Sequence, residues 1–313
     1  MSTSFDSVLL IAFGGPTRPE EVRPFLANVT RGRPIPPERL EAVAHHYDMM
    51  GGYSPFNELT FRQACALEAE LRKQQLQLPV FVGMRNWHPL LRETLAEMAA
   101  AQRRRALGVI LSAQQCEASW ERYKENVAEA RADVGSAAPD VAYTPPWPDH
   151  PLFIEAVAER AAAALQGIAP SVRGATPLIF TAHSVPVAMA ERSPYVEQIR
   201  EGARLVADRL GHSRWTVAYQ SRSGSPRDPW LEPDIGEVIR ALARERVRQV
   251  VVAPIGFVCD HVEVLYDLDI EARAIADGLG VGFVRAAAVN DHPAFIRMLA
   301  DLVRRSVKER GPA

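Results

Sequence analysis

Short apolar runs rich in β-branched residues alternate with amphipathic stretches along the whole chain. The runs Val8–Phe13, Pro79–Met84, Leu107–Ser112, Val141–Thr144, Pro177–Ala182, Trp215–Gln220, Gln249–Pro254 and Gly282–Arg285 predict strands. Their apolar character is nearly continuous, the pattern of strands covered on both faces. Helices are predicted between them at Pro19–Val29, Pro37–Met49, Glu58–Gln74, Pro89–Arg104, Glu117–Asp133, Pro151–Leu165, Pro194–Leu210, Asp234–Arg244, Val262–Leu279 and Pro293–Lys308. Several start with proline at the first helical position, where its missing N–H is not needed, and Leu279–Gly280 is a usual helix exit. Strand–helix alternation of this kind predicts an α/β fold with parallel sheets flanked by helices.

A Gly/Pro/Ala-rich stretch, Gln166–Pro177, lies near the midpoint and reads as a linker. On either side of it, Leu9–Pro16 and Leu178–Pro186 follow one design: a buried strand ending in a turn that feeds a helix. Two similar lobes are expected, residues 1–166 and 167–313, with a cleft between them and the last helix free to pack back on the first lobe. Ligands in such sheets bind beyond the carboxyl ends of the strands. Candidate chemistry is therefore sought there.

Composition narrows the function classes. The 313 residues carry 36 Lys and Arg against 38 Asp and Glu, a net charge of -2. That balance gives no footprint for nucleic acid or anionic lipid. The longest apolar runs, such as Ser7–Phe13 and Val250–Val258, fall short of the ~20 residues a membrane span needs. The polar start Met1–Asp6 shows no signal-peptide pattern, so a cytoplasmic protein without an integral membrane segment is expected. Cys65, Cys116 and Cys259 are scattered, with no CxxC. A disulfide framework, a zinc ribbon or a four-thiolate iron–sulfur cluster is disfavoured. The chain also lacks GxGxxG after its first strand, GxxxxGK[ST], HExxH and GxSxG, so nucleotide chemistry loses its usual signatures.

His183 ends an apolar strand. A lone histidine is more often a hydrogen-bonded core residue, but a strand end facing the expected cleft turns the balance toward a base or a metal ligand. After the run Gln249–Pro254, the segment Gly256–Glu271 places Glu263, Asp267 and Glu271 four residues apart, as a carboxylate ridge on a predicted helix. A solvated acidic face is the plainer alternative. Interleaved Val262, Val264, Leu265 and Leu268 instead favour a row that conducts a cation or protons away from the cleft. Thr30–Arg33 and Gly51–Pro55 suit carboxylate recognition, since arginine forks on glycine-flexed loops bind such groups in two-toothed fashion. Tyr143–Pro148 and Asp228–Leu231 add loop aromatics, either lip residues or packing. His45, His46 and His88 read as surface residues, and Cys259 as a lining residue with no activating His–Asp pair.

Taken together, Thr181–Pro186, Pro229–Pro233 and Pro254–Asp267 closely resemble the ferrochelatase family. Leu9–Pro16, Arg31–Arg33, Gly51–Pro55 and Gly83–Pro89 match it in the same order, so the resemblance runs from about Val8 to Arg304. It implies a type II chelatase with two Rossmann-like lobes, a porphyrin in the cleft and Fe²⁺ inserted without ATP. His183 matches the catalytic histidine and Glu263 its paired glutamate, which abstract pyrrole protons and pass the metal inward. Asp267 and Glu271 match positions that lead metal in or protons out, which makes His183, Glu263, Asp267 and Glu271 the implied metal-handling set. Porphyrin contacts are implied at Phe13, Arg31, Ser54, Arg85, Asn86, Gln114, Tyr123 and Trp230. Porphyrin and ferrous iron are then substrates, with no organic cofactor, no cluster, and only transient contact with neighbouring haem-pathway enzymes.

Two departures stand out. Phe13 occupies a position that is Tyr in many bacterial relatives acting on coproporphyrin, and Ser112–Ser119 lacks the Ser/Tyr- or His/Ser-rich loop of the family, with Glu117 placed to repel a propionate. Membrane-associated relatives using protoporphyrin often carry an apolar lip or a C-terminal extension, and the ending Lys308–Ala313 shows neither. Coproporphyrin III is therefore the expected substrate over protoporphyrin IX. Two alternatives remain at this point: a type II chelatase placing cobalt or nickel in another tetrapyrrole, and a non-catalytic haem-binding or delivery protein.

Overall fold

Every residue of the first strand, β1 (Ser7–Ala12), is buried, as its unbroken apolar run requires. The structure, a computed structural model, describes residues 5–32, 35–223 and 228–309. β1 is followed by α1 (Val22–Val29), α2 (Pro37–Met49), α3 (Phe56–Lys73), β2 (Val80–Met84), α4 (Leu91–Ala100), β3 (Arg105–Ile110), α5 (Arg122–Val134) and β4 (Asp140–Tyr143). These strands form an all-parallel sheet in the order β2-β1-β3-β4.

The chain continues through α6 (Pro151–Gln166), α7 (Pro170–Arg173), β5 (Leu178–His183), α8 (Val187–Ala190), α9 (Tyr195–Leu210), β6 (Trp215–Gln220), α10 (Ile235–Arg244) and β7 (Gln249–Ala253). It then runs through α11 (Val262–Val264), a π-helix (Leu265–Ala272), α12 (Arg273–Gly278), β8 (Gly282–Arg285) and α13 (Pro293–Glu309). The second sheet is parallel in the order β6-β5-β7-β8, the same pattern as the first. In both, the order reverses beside the central strand, between β1 and β3 and between β5 and β7. Such reversals open a crevice past the carboxyl ends, where ligands bind in doubly wound sheets.

The predicted strands are all present, with ends shifted by one or two residues. The division of the chain differs from a cut at 166/167. One compact unit comprises the chain up to Ser112, Ala118–Pro145 and the part of α13 from Ile296 on; the other comprises Ala113–Glu117 and Pro146–Phe295. The physical reason lies in α6, which packs on α9 and β7 and so belongs with the second sheet although it precedes the Gly/Pro/Ala stretch.

A second difference concerns the predicted helix Val262–Leu279, which widens into a π-helix over Leu265–Ala272. Here Val264, Leu268, Ala272 and Ala276 form one buried stripe against Ile235 and Ile239 of α10. In an α-helix a spacing of four drifts about 40° around the axis at each step. A π turn takes more than four residues and cancels that drift. The carboxylates Glu263, Asp267 and Glu271 repeat the same spacing one residue earlier. No helix among the described residues is long and apolar enough to cross a membrane.

Candidate active site

β5 delivers His183 to its carboxyl end, and β7, its neighbour in the sheet, delivers the loop that reaches Glu263. Gly256 makes this approach possible. Its N–H donates to the Thr181 carbonyl at 3.0 Å, and a Cβ there would sit 2.6 Å from the Ala182 side chain. Any larger residue would push the loop off the strand. The result places His183 Nε2 3.8 Å from Glu263 Oε1, both half-buried.

The histidine's tautomer follows from its other nitrogen. Nδ1 lies 2.5 Å from the Ser184 carbonyl oxygen, which can only accept, so Nδ1 carries the proton. Nε2 is the nitrogen that faces Glu263. The Tyr195 hydroxyl, its acidity suppressed by burial, donates to the His183 carbonyl at 2.9 Å and fixes the strand end. His261 precedes Glu263 and accepts from its backbone N–H at 3.2 Å. Burial lowers the His261 pKa, with His183 adding to the effect against the opposing charges of Glu263 and Asp260. Neutral His261 therefore serves as the N-terminal cap of α11.

Gln220, the cross-strand partner of His183, donates its side-chain amide to the Glu263 carbonyl at 2.9 Å. Ser221 follows with φ +63°, a left-handed conformation that a non-glycine residue adopts only when its surroundings impose it. From there its hydroxyl donates to Asp267 Oδ2. Burial pushes the Asp267 carboxyl up to about 8; the charges of Glu263, Glu271 and Asp234 add to this, and the Ser221 hydrogen bond opposes it. At neutral pH this carboxyl is largely protonated. Glu271, farther along the ridge, is exposed.

The four residues expected as metal ligands are thus drawn into a line and not into a cage. Among the described residues no group of three or more His, Cys, Asp or Glu side chains could together hold a metal ion. His183 and Glu263 face each other, whereas Asp267 is turned to Ser221. Trp230 is half-buried in a segment that pairs back on Pro186, with the Arg222 guanidinium 5.9 Å from its ring centre.

The first unit gathers a different set past β1 and β2. Phe13 is half-buried, edge-on to Phe25 at 6.3 Å. The Arg85 guanidinium lies 5.8 Å from the Phe13 ring centre and 4.5 Å from that of Tyr123, and its Nε donates to Asn126 at 2.7 Å. Asn86 donates its side-chain amide to the Phe13 carbonyl at 3.2 Å, Asn28 donates to the Asn86 carbonyl, and exposed Arg31 donates to Asn28 at 2.7 Å. Gly14 turns this corner at φ +87°, where a Cβ would meet the Trp87 nitrogen at 3.0 Å. Arg33 lies outside the described residues.

Four of the expected porphyrin contacts, Ser54, Asn86, Gln114 and Tyr123, are buried. Ser54 packs under Gly15 and accepts from the Phe56 N–H. Tyr123 lies beneath Arg85. Gln114 is buried in the second unit, its amide 3.4 Å from the Ile255 carbonyl. Glu117, expected to repel a carboxylate, has the Arg192 guanidinium 3.8 Å away. The sequence reading passed over Ser221, Gln220 and Tyr195. The adjacency of β5 and β6, which only the folded sheet supplies, puts Gln220 level with His183.

The chain is 44% identical over 303 residues to the coproporphyrin III ferrochelatase of Mycolicibacterium smegmatis, covering 96% of this chain and 89% of that one. It is 45% identical over 309 residues to the protein of the same name from Mycobacteroides abscessus, covering 98% and 90%. In fold it resembles the sirohydrochlorin chelatase SirB from Bacillus subtilis subspecies spizizenii, at a TM-score of 0.54, 11% identity, and coverage of 97% and 95%. The family model described as ferrochelatase matches residues 6–307, and the chain belongs to the ferrochelatase family.

Proposed function

We propose that the chain inserts ferrous iron into coproporphyrin III, releasing the two pyrrole protons, with His183 and Glu263 as its catalytic pair. The single observation that carries the roles is that His183, its Nδ1 held by the Ser184 carbonyl, presents Nε2 to the Glu263 carboxylate at 3.8 Å. The substrate rests on the names of the mycobacterial relatives. Cytoplasmic location is the setting this reading expects.

A free porphyrin holds two N–H protons inside its ring, so metal enters only as the ring buckles and those protons leave. The balance is simple: Fe²⁺ replaces two H⁺, and no electrons move. His183 Nε2 takes a pyrrole proton as general base, and Glu263 stabilises the imidazolium or receives the proton. The open line of carboxylates suits delivery. A closed cage would hold iron, whereas two facing groups bind it briefly and release it to four ring nitrogens. Asp267, kept neutral, adds no full charge beside Glu263 and can pass a proton along the ridge to exposed Glu271.

Anaerobic turnover with Fe²⁺ tests the function. Coproporphyrin III is expected to be metallated faster than protoporphyrin IX, and Co²⁺ or Ni²⁺ with sirohydrochlorin is expected to give none. Failure of Fe²⁺ with both porphyrins overturns the reading, and haem binding without metallation would mark a delivery protein instead.

A further inference from the structure

One charged cluster of the second unit lies outside the chemistry described so far. Arg285, the last residue of β8, lies between two carboxylates. Its Nη1 donates to Asp260 Oδ1 at 2.7 Å, and its Nε lies 2.9 Å from both oxygens of Asp269. Side-chain exposures of 12%, 14% and 29% for Arg285, Asp260 and Asp269 set this group apart from surface ion pairs. Arg285 also donates to the Ala286 carbonyl at 3.1 Å.

The positions of the two carboxylates give the cluster its meaning. Asp260 lies in the loop three residues before Glu263, and Asp269 lies within the π-helix between Asp267 and Glu271. Asp260 is held further by the Ala288 N–H at 3.2 Å and the Asn290 amide at 2.7 Å, and its own N–H donates to Asn290 at 2.8 Å. Arg273 adds a second cation 3.6 Å from Asp269. One planar guanidinium therefore grips the segment that carries Glu263 and Asp267 at both its ends. A lysine is no equivalent, because its ammonium is a compact point charge without the planar fork that matches carboxylate geometry. A π-helix is rare beyond a single turn, and Arg285 anchors this one from outside through Asp269.

The geometry points to Arg285 as a positioning residue for metallation, resting on the assignment of Glu263 and Asp267 to the site. Through Asp260 and Asp269 it sets the rotation of the π-helix and hence the line of Glu263, Asp267 and Glu271. It also neutralises two carboxylates that would otherwise add negative charge behind that line. Groups that orient the side chains handling a metal typically change activity by about 10–100-fold when removed.

Arg285→Met and Arg285→Lys test this, with porphyrin binding, thermal unfolding and Fe²⁺ turnover measured on each. Arg285→Met is expected to lower kcat about 10–100-fold while leaving KM for porphyrin unchanged. Arg285→Lys, which keeps the charge without the fork, is expected to recover part of kcat and to unfold close to the wild type. A purely structural role predicts loss in proportion to the unfolded fraction, with the folded remainder turning over normally. That result, or wild-type kcat in the lysine variant, overturns the inference. If Arg285→Met does not fold, the lysine variant decides alone. His183→Ala run alongside separates the two levels: normal turnover in that variant removes the site assignment itself, whatever Arg285 does.

Discussion

The carboxyl ends of β1 and β5 are equivalent points in two sheets of identical strand order, and their chemistry is opposite. Past β1 stand an aromatic ring, two arginines and a chain of asparagine amides: Phe13, Arg85, Arg31, Asn86 and Asn28. Past β5 stand an imidazole and a line of carboxyl groups. The topology supplies a crevice in either case, and the residues grafted onto it decide what it does. The first end can recognise a flat ring with anionic substituents; the second can move protons and hold a divalent cation briefly. Substitutions in the second unit should thus act on kcat and those in the first on KM.

The strongest way to break this comparison is His183→Ala. Loss of a general base costs about 10²–10⁴-fold, and kcat for metallation is expected to fall by roughly 10³-fold while porphyrin fluorescence titrations still show binding. Glu263→Gln should follow at about 10²-fold, since the base survives but its partner carboxylate is lost. Binding lost together with kcat would mean that the second end recognises the ring as well.

Asp267→Asn examines the electrostatics of the second end through stability. An unfolded aspartate releases its proton near pH 4, whereas Asp267 keeps its proton in the folded chain up to about pH 8. Between those values the folded state binds the extra proton, so wild-type stability falls as pH rises. Asparagine keeps the neutral shape and cannot ionise. The variant should match the wild type near pH 4 and gain on it up to pH 8, by an amount on the order of 5 kcal/mol. A melting-temperature difference that stays constant across this window would remove the protonated carboxyl from the account.

What could be read from the chain beforehand divides along the same line. The strands were legible because an unbroken apolar run such as Val8–Ala12 has few other uses, and His183 because it interrupts one at its end. Glu263, Asp267 and Glu271 were visible through their spacing, and the same spacing in Val264, Leu268, Ala272 and Ala276 carried the signal of a wider helix. The single-helix expectation took Val264 and Leu268 only as apolar residues interleaved with the acidic row. Ser221 and Gln220 were not legible, since their roles arise from sheet adjacency and a backbone turn that no local pattern encodes. Ser54, Tyr123 and Gln114, which motif position places at the ring, are buried in the fold, a property that no local pattern announces.

Phe13→Ala and Arg85→Ala probe the first end. A cation over an aromatic ring contributes about 0.5–2 kcal/mol depending on desolvation, and half-buried Arg85 spans two rings. Either change should raise KM for porphyrin about tenfold with kcat nearly intact. A fall in kcat without a change in KM would reverse the division between the two ends.

The smallest effect is expected at Arg31, and it bears on the substrate. Arg31 is exposed and tied only loosely, through Asn28; an ion pair in water contributes about 0–1 kcal/mol and is screened by salt. Arg31→Ala should therefore raise KM by no more than about fivefold, and the difference should shrink as ionic strength rises. Its size should also follow the number of carboxylates on the ring, because a four-carboxylate coproporphyrin offers more partners than a two-carboxylate protoporphyrin. An equal, salt-independent effect on both would mean that Arg31 supports its loop and takes no part in choosing between them.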